Sequence, residues 1–95
     1  MTTVPTQALT LLNNEFVLLQ AGHLAERALR EAGNDPAKQI GQLYRIALSR
    51  PPTEKELASY LTFFEKQRAY HRADLPALTD VAHVVLNANE FVYIN

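Results

Sequence analysis

The chain has 95 residues, enough for one small domain, whereas a second domain would lack a core of its own. Hydrophobic residues make up 47% and charged residues 20%, a composition that excludes an intrinsically disordered tail. The formal net charge of -1 gives no basic field to attract nucleic acid or an anionic membrane, so we expect neither as a partner.

Cysteine is absent, which excludes disulfides, thiolate metal sites and the Cys-x-x-Cys-His attachment of c-type haem. No stretch approaches the ~18 unbroken apolar residues of a membrane-spanning helix, and the first residues lack the pattern of a signal peptide. We therefore expect no cofactor and no membrane insertion for this chain.

The first charged residue is Glu15, and the neutral stretch before it is unusual for a solvated terminus. We interpret residues 1–95 as a single helical domain excised from the C-terminal part of a larger protein. Pro5 predicts a short first helix over residues 6–12, because proline fits the first turn of a helix. Asn13 and Asn14 can end that helix and cap the next.

A long amphipathic helix is predicted from Glu15 to about Ala32. Its apolar positions recur at helical spacing, with Leu18, Ala25 and Leu29 widening the stripe. The central positions of this stripe are Val17, Ala21, Leu24 and Ala28. Gly33 and Asn34 supply the end of the helix.

Asp35 and Pro36 predict the start of the next helix, as an N-cap carboxylate followed by proline. This segment has the clearest helical period in the chain, and Pro51 and Pro52 require it to end by Ser49 or Arg50. The periodic positions are Ile40, Leu43, Tyr44, Ala47 and Leu48.

Residues 53–56 (TEKE) predict a capping box at the start of a further helix, since the Thr53 hydroxyl and the Glu56 carboxylate can each bind the other's backbone N–H. The apolar positions that follow give this helix a broad, partly aromatic face. They are Leu57, Tyr60, Leu61, Phe63 and Phe64.

Asp74 and Pro76 predict a last helix that ends near residues 87–89. Its apolar positions repeat the helical period and are Leu78, Val81, Ala82, Val85 and Leu86. Residues 91–94 (FVYI) have no second strand to pair with, so we predict a C-terminal tail docked on the bundle. The expected fold is all-α, a compact bundle of about four to five helices with short loops.

One short pattern occurs twice, as residues 12–17 (LNNEFV) and, with one residue inserted, as residues 86–92 (LNANEFV). We interpret both as helix ends anchored by an aromatic residue. The alternative is a paired surface that binds a ligand or partner. With two arginines from the middle of the chain added, that speculative surface motif comprises Asn13, Asn14, Arg45, Arg50, Asn87, Asn89 and Glu90.

Local spacing does not assemble a complete catalytic, cofactor or metal site. No two of the three histidines are three or four residues apart, but Asp80 and His83, an acid and a base, are three residues apart on the last predicted helix. We interpret this weak acid-base pair as a surface hydrogen bond on one helix. The alternative is a fragment of a site completed elsewhere in a larger protein.

Three ordered motifs carry a resemblance to a known family: residues 3–14 (TVPTQALTLLNN), 43–53 (LYRIALSRPPT) and 86–93 (LNANEFVY). Together they resemble the C-terminal region of domain of unknown function 1553, a planctomycete cytochrome-associated family. Ser49 departs from the pattern, which usually has glycine before the Arg-Pro turn, and so does Ala77, where an aromatic residue is common.

The resemblance implies a long parent protein, often with a preceding partner domain and sometimes with a cytochrome c-like domain. It also implies an exported, extracytoplasmic setting, and it assigns no activity. Our leading hypothesis is a non-catalytic structural or interaction module of a larger exported bacterial protein. Its partners would be the upstream domains of its own chain or another protein.

Two alternatives remain open. The module can form one wall of an enzyme or redox site completed by upstream domains; the residues it would contribute are Asn14, Arg50, Asn87, Glu90 or His83. It can instead be a small-ligand or glycan binding module, which requires Tyr60, Phe63 or Tyr93 in an open groove.

Overall fold

A computed structural model describes residues 15–88 of the protein. These residues form four α-helices: α1 (Glu15–Ala32), α2 (Pro36–Leu48), α3 (Glu54–His71) and α4 (Asp74–Ala88). Short loops join them, and this part of the chain contains no strand. The all-α prediction is therefore confirmed, with a bundle of four helices among the described residues.

The capping signals in the sequence set the helix boundaries. The Asp35 carboxylate accepts a hydrogen bond of 3.0 Å from the backbone two residues further on, at the start of α2. In the capping box of α3, the Thr53 N–H donates to Glu56 at 2.8 Å and the Glu56 N–H donates to the Thr53 hydroxyl at 3.1 Å. Gly33 follows α1 with a φ of 77°, a left-handed conformation that glycine adopts without strain.

α4 is the central helix, because it packs against α1, α2 and α3. All five of its predicted apolar positions are buried: Leu78, Val81, Ala82, Val85 and Leu86. α1 contributes a stripe of small residues to the same core, namely Ala21, Ala25 and Ala28, each fully buried. Small side chains allow close approach between helices, and the α1–α4 interface is the most extensive in the bundle.

The predicted aromatic face of α3 is only partly buried. Phe64 is completely buried, whereas Leu57, Tyr60, Leu61 and Phe63 pack against the core with part of their surface exposed. α3 therefore covers one side of α4 as an outer helix.

The predicted apolar stripe of α1 was too wide. Leu18 is 49% exposed, whereas Leu24 and Leu29 are partly buried and pack against the core as predicted. Each residue advances an α-helix by about 100°, so Leu18 lies well to one side of Val17, which faces the core. Because the alanine stripe and Val17 already form the contact with the bundle, Leu18 remains on the flank.

Two predicted features lie outside the described residues: the first helix, over residues 6–12, and the docked tail, over residues 91–94. Within residues 15–88, no helix combines the length and hydropathy needed to cross a bilayer. The assignment of residues 1–95 to one domain stays a prediction.

Ser49 ends α2 in the left-handed conformation, with φ 60° and ψ 27°, and its N–H donates to the Arg45 carbonyl at 3.0 Å. A residue with a Cβ atom is strained by about 1–2 kcal/mol there, whereas glycine is not. Glycine also increases the conformational entropy of the unfolded chain. This lowers the free energy of unfolding by about 0.4–1 kcal/mol and offsets part of the stability gained by removing the strain. We expect Ser49→Gly to raise the free energy of unfolding by about 0.5–1 kcal/mol, measured by urea denaturation.

The same substitution at Ser59, an exposed position inside α3, is the matched control. There glycine lowers the free energy of unfolding by about 0.5–1 kcal/mol. A loss of stability in both variants would contradict the role assigned to the left-handed residue.

Candidate binding groove

One concave feature of the described residues is a groove at one end of the bundle, where the first turn of α1 meets the last turn of α4. We call it the α1–α4 groove. Its volume is about 390 Å³. The residues that line it are Phe16, Val17, Gln20, Leu24, Ala47, Leu86 and Asn87.

The described part of the lining is mostly apolar, and none of the residues from 15 to 88 that form it is charged. Phe16 is 62% exposed, although aromatic side chains are usually well buried in a folded domain. The amide of Asn87 is held by a hydrogen bond of 2.9 Å from Nδ2 to the His83 carbonyl, so its Oδ1 can accept a further bond. The groove therefore suits an apolar segment of chain whose backbone N–H groups need hydrogen-bond acceptors.

The antiparallel arrangement of α1 and α4 brings the repeated sequence pattern to one place. Phe16 and Val17 come from its first copy, Leu86 and Asn87 come from its second, and all four line the groove. Asn13, Asn14, Asn89 and Glu90 of the predicted surface motif lie outside the described residues. Local periodicity cannot show this convergence, because it depends on how two distant helices pack.

A second apolar surface lies on the other flank of α1, facing the start of α4, and we call it the outer face. Leu18 and Leu19 are 49% and 59% exposed, and Leu75 is 38% exposed. They line a shallow cleft of about 320 Å³ together with Gly22, His23, Glu26 and Thr79. Sequence reasoning missed the outer face because it assigned Leu18 to the core.

The two arginines of the predicted surface motif are not equivalent. Arg50 forms a two-pronged ion pair with Glu56, with N–O distances of 2.9 and 3.1 Å, and its guanidinium lies 5.3 Å from the centre of the Tyr44 ring. Arg45 is exposed on α2. Arg50 therefore braces the turn between α2 and α3, which we call the α2–α3 corner.

This ion pair changes the titration of its carboxyl group. The Arg50 guanidinium, together with the Thr53 N–H, holds the pKa of Glu56 at about 2, compared with an ordinary value of 4.5. Both side chains are partly exposed, at 39% for Arg50 and 28% for Glu56, so solvent screens part of the attraction.

The aromatic residues beside the corner pack together. Tyr44 is fully buried, and its ring meets that of Tyr60 edge to face at a centroid distance of 5.8 Å. Burial raises the pKa of Tyr44. Tyr60 and Phe63, two of the three residues proposed to bind a glycan, are partly buried against the core, and the third, Tyr93, lies outside the described residues.

The structure gives Asp80 a different partner from the one that local spacing suggested. Its Oδ2 lies 2.7 Å from Nε2 of His71 and accepts a 2.7 Å hydrogen bond from the Gln67 amide, both on α3. The His83 Nε2 is buried and has no hydrogen-bond partner in the described structure. We predicted that Asp80 pairs with His83 on the same helix. In the structure Asp80 instead pairs with His71 on α3, and this contact joins α4 to α3.

A carboxylate that orients an imidazole is one part of many catalytic sites. Within residues 15–88, no group of three metal-binding side chains converges. What the described residues bring together is thus one acid-base pair, one braced corner and two apolar surfaces.

Comparison with known proteins identifies the family. Residues 1–64 match the family described as PSD1: Protein of unknown function (DUF1553), and they make up more than half of the chain. The chain belongs to the DUF1553 family. The family resemblance seen in the motifs is confirmed, while neither the curated proteins nor the solved structures include a significant match.

The DUF1553 match covers two of the three motifs, residues 3–14 and 43–53, and with them α1, α2 and the first part of α3. The third motif, residues 86–93, lies beyond the match. That the chain is the C-terminal end of a longer DUF1553 protein stays a prediction. The departure at Ser49 has a structural meaning, because this residue adopts the left-handed conformation that favours glycine.

The α2–α3 corner predicts an acid-sensitive contribution to stability. The pKa of Glu56 is lower in the folded chain than its ordinary value, so the unfolded chain binds a proton more readily. The contribution is complete above pH 4.5 and is lost as the pH falls towards about 2. We expect the free energy of unfolding to fall less over this range in Glu56→Gln than in the unmodified chain, as measured by urea denaturation at successive pH values.

Arg50→Gln tests the cause, because it removes the guanidinium but leaves the carboxyl group. It should reduce the pH dependence as Glu56→Gln does, and the double variant should add little to either. Parallel stability curves for all four proteins would show that the ion pair does not set the pKa of Glu56.

Proposed function

We propose that this DUF1553 chain is a non-catalytic structural or interaction module of a larger exported bacterial protein, and that its outer face packs against a preceding region of that protein. The observation that carries the proposal is the pair of adjacent leucines, Leu18 and Leu19, each about half exposed on one helix. Contiguous apolar surface of this kind marks contact sites on soluble domains.

The energetics favour a covered outer face. Burying a whole leucine side chain is worth roughly 1.5–3 kcal/mol, so covering the exposed half of each leucine adds about 1 kcal/mol per residue. Leu75, on α4, extends the surface to a second helix. A partner that covers all three side chains would therefore be held by apolar contacts, with His23 and Glu26 at the rim.

The position of the outer face supports a partner in the same chain. The preceding residues join α1 at Glu15, three residues before Leu18. A segment tethered this close has a high effective concentration at the face, so even a weak apolar contact is populated. An extracytoplasmic location, which the family resemblance implies, is part of the proposal.

The polar clusters support a structural role as well. Arg50 and Glu56 brace the α2–α3 corner, and Asp80 joins α4 to His71 and Gln67 of α3. Each cluster holds two helices in place. This structural role explains the geometry of both clusters without a catalytic function.

One observation favours a second candidate, the wall of an enzyme or redox site completed by upstream domains. The His71 and Asp80 side chains keep 27% and 34% of their surface exposed, so a substrate can reach the pair. Turnover by the full-length protein that is lost in His71→Gln but retained in His23→Gln would support this candidate over the interaction module.

The leading proposal predicts the effect of making the outer face polar. In the full-length protein encoded by the gene, we expect the Leu18→Gln, Leu19→Gln double variant to increase amide hydrogen exchange in the first two turns of α1. Glutamine keeps the helix propensity of leucine but removes the apolar contact. The same change in the isolated 95-residue chain should leave exchange in these turns nearly unchanged.

Val84→Gln is the matched control, because Val84 is 37% exposed on α4 and does not line the outer face. It should leave the exchange of α1 unchanged in both proteins. Equal exchange of α1 in the full-length protein and the isolated chain would rule out packing at the outer face.

A further inference from the structure

The α1–α4 groove lies at the end of the bundle from which the chain continues in both directions. Phe16, in its wall, is 62% exposed, and Asn87, also in its wall, is followed by a single residue before α4 ends. Two further residues, Asn89 and Glu90, then lead to four consecutive large apolar residues, 91–94 (FVYI).

We propose that the α1–α4 groove binds residues 91–94 of its own chain. This inference does not rest on the proposed function, because the groove and the outer face lie on different flanks of α1. It adds an intramolecular binding site to the module and names its occupant.

The length of the connection fits this occupant. Phe91 is three residues beyond Ala88, the last residue of α4, and an extended chain spans roughly 3.3 Å per residue, so Phe91 can reach roughly 10 Å back towards Leu86 and Asn87 in the groove. A connection this short also gives residues 91–94 an effective concentration in the millimolar range or above. Modest apolar contacts are then enough to keep the segment bound.

The chemistry of the two surfaces is complementary. Residues 91–94 carry no charge, and the described residues that line the groove are also uncharged. The amides of Gln20 and Asn87, which also line the groove, can bind the backbone of the segment, as a buried backbone requires. Phe91 and Tyr93 supply two aromatic rings, each of which can bury about 150–250 Å².

Residues 1–14 are the competing occupant, since they join α1 at the same end of the bundle. Their large apolar side chains near α1, Leu11 and Leu12, are aliphatic, and two asparagines separate them from α1. Residues 91–94 bring more apolar surface to the groove through a comparably short connection. They are therefore the occupant that the sequence favours.

A single tryptophan tests the proposal, because the chain has none of its own. In the full 95-residue chain, Phe91→Trp should show blue-shifted emission and several-fold weaker quenching by iodide than free indole. Adding Phe16→Ser removes an exposed wall of the groove, and should shift the emission to the red and raise quenching several-fold. Far-UV circular dichroism checks that each variant keeps its helices.

Leu19→Ser is the matched control, because Leu19 is 59% exposed on the same helix but does not line the groove. It should leave the emission of the Phe91→Trp chain unchanged. The proposal would be overturned if the Phe91→Trp chain, with Phe16 still present, showed the emission and iodide quenching of a fully solvated indole.

Two other results would also overturn it by naming another occupant. A blue shift in Leu11→Trp that depends on Phe16, without one in Phe91→Trp, would assign the groove to residues 1–14. A blue shift in Phe91→Trp that disappears on dilution, together with a dimer in sedimentation experiments, would assign it to a second copy of the chain.

Discussion

The packing of α4 against the alanine stripe of α1 sets the arrangement of the other features. Ala21, Ala25 and Ala28 are all completely buried, so α1 can approach its neighbours closely along its middle turns. Towards the start of α1 the side chains become large, as at Phe16, while the facing position on α2 is the small Ala47. The close contact therefore opens into the α1–α4 groove at one end of the bundle. The two leucines that follow Phe16 project from the opposite flank and form the outer face.

The α2–α3 corner illustrates how much of this structure local chemistry can predict. The capping box over residues 53–56 and the end of α2 before Pro51 follow from backbone groups within a few residues, and both were predicted. The contacts of Arg50 were not predicted. Its guanidinium contacts Glu56 and the Tyr44 ring together, and these contacts depend on how α2 and α3 pack at the corner. One carboxylate thus caps a helix and pairs with an arginine, which explains the low pKa of Glu56.

The difference between local contacts and contacts that depend on helix packing also explains the errors at the candidate sites. Helical period predicted the core of α4 correctly because its positions are buried against three helices, so every apolar residue of the stripe has a partner. It failed for Leu18, because a stripe defined by spacing has no information about how far each neighbouring helix extends. It also favoured His83 as the partner of Asp80, since only residues on one helix can be compared by spacing. The observed partner, His71, belongs to the preceding helix and depends on how α3 packs on α4.

The α1–α4 groove and the outer face lie on different flanks of α1, and they require partners of different size. The α1–α4 groove is mostly apolar, has two amides in its lining and lies within a few residues of a short aromatic segment, so a single extended stretch of chain can fill it. The outer face is shallower and spans two helices, so covering it requires a broader surface than a few residues provide. A module that fills its groove internally still presents the outer face for contact. A fold that is stable by itself and still binds a neighbouring region is what the proposed structural module would require.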